Sequence, residues 1–155
     1  MVKKLDDFLA TLEENQVWGF RITVNPTYRR TDNDGRKRLL GHVTVAQQTQ
    51  WLLDRAEANG FQIPMSAEVG GDLPVLENKA GERVDGRNLL VSLVDRRVEN
   101  FVRVKGEDKR PVTLKLATFQ GTLKVTDPRA LRSALANGIG RAKGYGAGLL
   151  TLARP

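Results

Sequence analysis

Residues 16–25 read QVWGFRITVN, and no other stretch constrains the fold as tightly. Trp18, Phe20, Ile22 and Val24 alternate with Val17, Gly19, Arg21 and Thr23. Successive side chains on an extended strand point to opposite faces, so the first set makes one wholly apolar side. The stretch predicts a strand with one buried face, closed by Pro26.

The rest of the chain must supply what covers that face. Residues 5–13, LDDFLATLE, predict a short helix with Leu5, Phe8, Leu9 and Leu12 on one side. Residues 27–41 predict a polar, basic loop turning at Asp34-Gly35. Thr44 and Gln47 have the spacing of a capping box, and an amphipathic pattern follows as far as the stop signal Asn59-Gly60. Gly, Pro and mixed charge fill an irregular insert at about residues 64–92. Residues 96–127 predict a long hairpin that turns within GEDKRP. In its second strand the apolar positions change from even (Val112, Leu114, Leu116) to odd (Phe119, Leu123, Val125), which predicts a β-bulge near Ala117–Thr118. Asp127-Pro128 opens a helix that stops at Asn137-Gly138, and a last short strand, GLLTL, ends the pattern.

The resulting order is β-α-β-β-α-β. It predicts an α+β, ferredoxin-like domain over residues 16–155: one antiparallel sheet with two helices on one face. Residues 1–15 are expected to be a linker remnant with a short helix. So many functions share this arrangement that the arrangement names none of them.

Charge narrows the field. The chain carries a formal +7, and residues 96–155 hold 13 Lys and Arg against 4 Asp and Glu. An excess concentrated in this way points to a polyanion such as RNA or DNA. Cys is absent and His42 is the only histidine, so disulfides and thiolate metal sites are excluded and no metal or cofactor is expected. There is no apolar run long enough to span a bilayer and no signal-peptide pattern at the start, so a cytoplasmic protein with no membrane partner is expected.

Residues 137–150, NGIGRAKGYGAGLL, place Gly138, Gly140, Gly144, Gly146 and Gly148 around Arg141 and Lys143. A phosphate-binding P-loop would need Lys after a glycine and a helix to follow; the dinucleotide fingerprint would need a third glycine where Lys143 stands. Two readings remain open. The segment is a helix cap and connector, or it is a bare backbone platform whose N–H groups approach phosphates closely. On the platform reading, Gly144 and Gly146 tolerate valine less well than Gly138 tolerates alanine. Tyr145 either stacks on a base or packs internally.

Residues 138–152, GIGRAKGYGAGLLTL, closely resemble the C-terminal glycine-rich motif of the repeat-associated RNA-processing proteins of CRISPR systems. The match is to the CasE branch, the endoribonucleases of the type I-E surveillance complex. WGFRITVNPT resembles the strand that enters the family's second domain. KRLLGHVTVAQQTQWLLDRAEANGF resembles the basic loop and first helix of that domain. The likeness runs through FQGTLKVTDPRALRSALANGIGRAKGYGAGLLTLA and covers roughly residues 7–63 and 96–153.

The resemblance implies two ferredoxin-like domains in tandem, of which this chain matches the second. It implies metal-independent cleavage in which a ribose 2′-OH attacks the adjacent phosphate and leaves a cyclic phosphate. The general acid/base there is a histidine of the first domain, with no counterpart here. An RNA-binding domain without a catalytic centre is therefore expected, one that grips the hairpin of the CRISPR repeat and retains the guide RNA. Its expected partners are that RNA, the other subunits of the surveillance complex and the missing N-terminal domain. The expected phosphate contacts are Arg29, Arg30, Arg36, Lys37, Arg38, Arg103, Lys105, Lys109, Arg110, Arg141 and Lys143. Two rivals stand beside this reading. One is a protein-interaction module of the complex. The other is an autonomous ribonuclease with His42 as general base, against the plainer reading of His42 as a turn residue.

Overall fold

The computed structural model describes residues 2–65, 75–77, 83–85 and 89–154. Most of the irregular insert expected at 64–92 lies outside the described residues. Within it, β5 (Val75–Glu77) and β6 (Arg83–Asp85) form a short antiparallel pair.

The strand read from QVWGFRITVN is β1, Val17–Val24. Phe20, Ile22 and Val24 are all buried, whereas Arg21 on the alternate face is exposed. β1 pairs antiparallel with β8 (Asp108–Val125) on one side and with β9 (Leu150–Ala153) on the other. The far edge of β8 pairs with β4 (Phe61–Gln62) and then with β7 (Val91–Lys105). The main sheet is thus wholly antiparallel, with β4 and β7 sharing one edge of β8.

Two helices cover the buried face. α2 (Val45–Ala56) starts at Thr44, whose side chain accepts from the Gln47 N–H while the Gln47 side chain accepts in return from the Thr44 N–H. α3 (Pro128–Asn137) starts at Asp127, whose carboxylate accepts from the N–H groups of Arg129 and Ala130. Trp51, Leu52 and Ala56 of α2 and Leu131 and Ala134 of α3 join Phe20, Ile22, Val24, Phe119 and Leu123 in one core. At the N-terminus, α1 (Val2–Ala10) docks on the same body. Leu12 just beyond it is buried, Phe8 meets Trp18 edge-on at 5.3 Å, and Arg132 donates to the carbonyls of Leu9 and Leu12. No helix among the described residues is long and apolar enough to cross a membrane.

Two expectations need correction. The basic stretch after β1 is not a loop but a hairpin, β2 (Thr27–Thr31) against β3 (Lys37–Gly41). Its turn is indeed at Asp34-Gly35, with Gly35 at φ 79°. The bulge is on the other strand: β8 runs unbroken past Ala117–Thr118, and the register slips in β7 between Leu93 and Asp95. The parity change in β8 has a different cause. Phe119, Leu123 and Val125 point to the helices, while Leu114 and Leu116 point to the opposite face, where they pack with Ala147. One straight strand is covered on one side first and on the other side later.

Candidate nucleic-acid interface

β1 pairs with only residues 117–124 of β8. The rest of β8, with most of β7, continues past the sheet as a two-stranded ribbon closed by the two-residue turn Gly106-Glu107. Gly106 sits at φ 62°, which a tight hairpin turn requires. At the tip Arg103 lies directly opposite Arg110, and Lys105 opposite Asp108. Arg103, Lys105, Asp108 and Arg110 line a shallow cavity of about 240 Å³. Like charges directly opposite each other destabilise a strand pair. Asp108, 2.9 Å from Arg110, offsets only part of that repulsion. All four side chains are exposed, so the cost is modest in water and becomes an asset where a phosphate replaces the water.

The glycine segment docks on the same face of the ribbon. Ala142 and Ala147 pack with Leu114 and Leu116, and the Tyr145 ring lies 4.8 Å from that of Phe101. Phe101 and Arg103 share a face by alternation. Arg141 and Lys143 flank the docked Ala142 and are exposed, and the Lys143 side chain reaches back over Gly138. Of the two uses foreseen for Tyr145, packing against Phe101 is the one observed, with the ring still half exposed.

The glycines divide by role. A β-carbon on Gly148 would meet the Ile139 carbonyl oxygen at 2.5 Å, and one on Gly140 the Trp51 ring at 2.7 Å. Gly138 caps α3, donating to the Ala134 carbonyl at φ 78°, and the Gly148 carbonyl oxygen lies 3.0 Å from where its β-carbon would stand. These three close the segment on its own domain: Ile139 N–H bonds to Gly148 O, and Gly148 N–H to Thr23 O. Gly144 and Gly146 face open space, and Gly144 lacks a positive φ. For Gly144 the expected ranking is therefore reversed for folding, whereas Gly146, at φ 85°, still resists a side chain through its own backbone.

The remaining foreseen cations lie on the other face of the ribbon. Lys109 pairs with Val104, which faces away from Arg103. Arg29, Arg30, Arg36, Lys37 and Arg38 ride on the β2–β3 hairpin, which comes against the ribbon where Gly41 meets the Lys115 side chain. Several are already engaged with acids: Arg38 binds Asp32 at 2.6 Å, Arg30 reaches the same carboxylate at 3.8 Å, and Arg36 pairs with Asp34 at 3.5 Å. Arg103, Lys105 and Arg110 thus share one face of the ribbon, and Lys109 lies on the other, where the β2–β3 hairpin meets Lys115.

His42 follows β3 and precedes α2. Its N–H bonds to Pro26 O, and its ring lies 4.7 Å from Tyr28. It lines a cavity of about 290 Å³ with Val43, Gln48, Arg96, Arg97, Val98, Lys115 and Leu116. Burial, and then the nearby Arg55 charge, hold its pKa below the ordinary value, with Asp54 opposing. The ring is therefore neutral at pH 7. Arg96, Arg97, Gln48 and Lys115 escaped the sequence reading. The Arg96-Arg97 doublet was the available signal, and Arg96 donates to the Val43 carbonyl across the fold.

Comparison with known proteins places these features in a lineage. A family model described as CRISPR associated protein matches residues 1–154. The CRISPR-associated endoribonuclease Cse3 of Thermus thermophilus is 29% identical over 147 residues, covering 94% of this chain and 60% of that protein. Among solved structures, CRISPR endoribonuclease Cse3 bound to 19 nt RNA aligns with a TM-score of 0.67 at 25% identity, over 94% of this chain and 58% of that one. A chain of a CRISPR RNA-guided surveillance complex in a pre-nicking state aligns at 0.63 and 28%, over 96% and 57%. The chain thus spans about 60% of the length of the curated relative it matches.

Proposed function

We propose, from the premise that this chain belongs to the CRISPR-associated protein family, on the branch of the Cse3 and Cas6e endoribonucleases, that its residues bind the hairpin of a CRISPR repeat RNA and hold it without cutting it. The observation that carries this reading is the Arg103–Arg110 pair at the tip of a projecting ribbon. Two arginines face to face cost stability, which the Arg110–Asp108 pair offsets only in part. Set against phosphates, each guanidinium gains a bidentate, charge-assisted contact. Exposed Arg141, in the segment docked on that face, adds a cation to the track, and A-form RNA is read mostly through its backbone and shape.

The architecture fits the same proposal. The order β1, α2, β4 with β7, β8, α3, β9, with β1 central beside β8, supports the reading of a ferredoxin-like split βαβ domain whose second strand is interrupted by the insert. A second surface supports contact with other subunits of a surveillance complex. Val98, Val102 and Val104 are 57%, 58% and 60% exposed on the ribbon face opposite Arg103. An apolar stripe of that kind suits protein better than phosphate.

Absence of cutting rests on the general base. In-line attack needs a proton acceptor within hydrogen-bond reach of the 2′-OH. The sole histidine, His42, stands on the far side of the ribbon from Arg103 and Arg110, its ring against Tyr28. The test is an end-labelled repeat hairpin incubated with excess protein and run on native and denaturing gels. A retarded band with intact RNA is expected. A product ending in a cyclic phosphate, lost in His42→Ala, would overturn it.

A further inference from the structure

We propose that the cavity between His42, Gln48 and the β7–β8 ribbon is a pocket for one unpaired nucleotide in a single-stranded flank of the bound RNA, where that flank leaves the Arg103 face and passes to the opposite face of the ribbon, which deepens the RNA-binding reading and rests on it. Gln48 is only 2% exposed, yet its amide oxygen has no hydrogen-bond partner among the described residues. His42 Nδ1 is buried and unpartnered in the same way. Both residues line this one cavity. A buried polar atom left unmatched is destabilising, so two at one cavity call for a ligand that matches them.

The chemistry of the wall selects the ligand. Val43 and Val98 give apolar surface for the faces of a flat ring. Gln48 Oε1 accepts a hydrogen bond from a base N–H, and the neutral His42 ring bonds a second position on the base edge through Nδ1. The Gln48 amide nitrogen is already committed to the His42 carbonyl, which holds the amide in place. Lys115 supplies charge for the attached phosphate. The volume, about 290 Å³, lies near the small end of ligand pockets, at about 300 Å³, and admits a nucleoside but not a duplex. Gly41 seats the basic β2–β3 hairpin against Lys115 at the cavity wall, so a phosphate backbone has a cationic approach to it. Unstacked bases outside a helix are the parts of RNA that proteins read by their edges.

The experiment is an abasic scan of a repeat stem-loop with short single-stranded flanks, each unpaired position replaced in turn, with affinity measured for the parent chain and for Gln48→Leu. The parent is expected to lose about tenfold at one unpaired position and little elsewhere. Gln48→Leu is expected to lose a similar factor on intact RNA and nothing further at that position. A parent that binds RNA with a flat scan overturns the pocket while leaving the RNA reading intact. A parent that binds no RNA overturns both. Should Gln48→Leu fail to fold, the scan on the parent still decides.

Discussion

Gly140 lies against the edge of the Trp51 indole: a β-carbon there would stand 2.7 Å from Cη2 and 2.8 Å from Cζ2. Gly140 also sits at φ 84°, so a side chain is resisted twice, by the ring and by its own backbone. Gly140→Ala is expected to cost about 1–3 kcal/mol by overpacking, whereas Gly144→Ala, in open space, is expected to melt with the parent. Thermal denaturation of both decides. Equal losses would mean that the segment is not closed on Trp51.

Asp127 caps α3 through two backbone N–H groups, with Pro128 fixing the first turn. Asp127→Ala is expected to lose about 1 kcal/mol, a few degrees in melting temperature for a domain of this size, and Asp127→Asn much less. An alanine variant as stable as the parent would place the stability of α3 wholly in Leu131 and Ala134.

His42 gives stability an acid limb. Its folded pKa lies below the unfolded value of about 6.5, chiefly through burial. The unfolded chain therefore takes up the proton first as pH falls, and stability declines from about pH 6.5 downward until the folded ring also protonates. Chemical denaturation at pH 7.5 and 5.5 is expected to show a larger loss for the parent than for His42→Gln. Identical losses would mean that the ring is as free in the fold as outside it.

Much of this fold was legible because its signals are local. The alternation in β1, the capping box at Thr44 and the Asp127-Pro128 start each need only a few neighbours, and each stands where the sequence placed it. The β2–β3 hairpin was missed because its strands are polar on both faces, with Arg29, Arg30, Lys37 and Arg38 leaving no alternation to read. The parity change in β8 was seen but its cause was not, since a covering segment 30 residues downstream leaves no mark on the strand that it covers. The same holds for the interface. The basic residues were countable, but nothing in their spacing says that Arg103 faces Arg110, or that Lys109 lies on the other face. Gln48 looked like an ordinary position in the stripe of an amphipathic helix. Only burial without a partner sets it apart.

The most direct test is the salt dependence of stem-loop RNA binding by the parent chain and by Arg103→Ala/Arg110→Ala. Each phosphate contact releases condensed counterion, so log affinity falls with log salt in proportion to the contacts made. Steep weakening is expected for the parent, and for the double variant weaker binding with a slope shallower by about 2, one for each cation removed. The double variant should melt no lower than the parent, since the two side chains are exposed at the ribbon tip and their mutual repulsion is removed. The same slope and affinity in both, or no RNA binding by the parent at low salt, would contradict it.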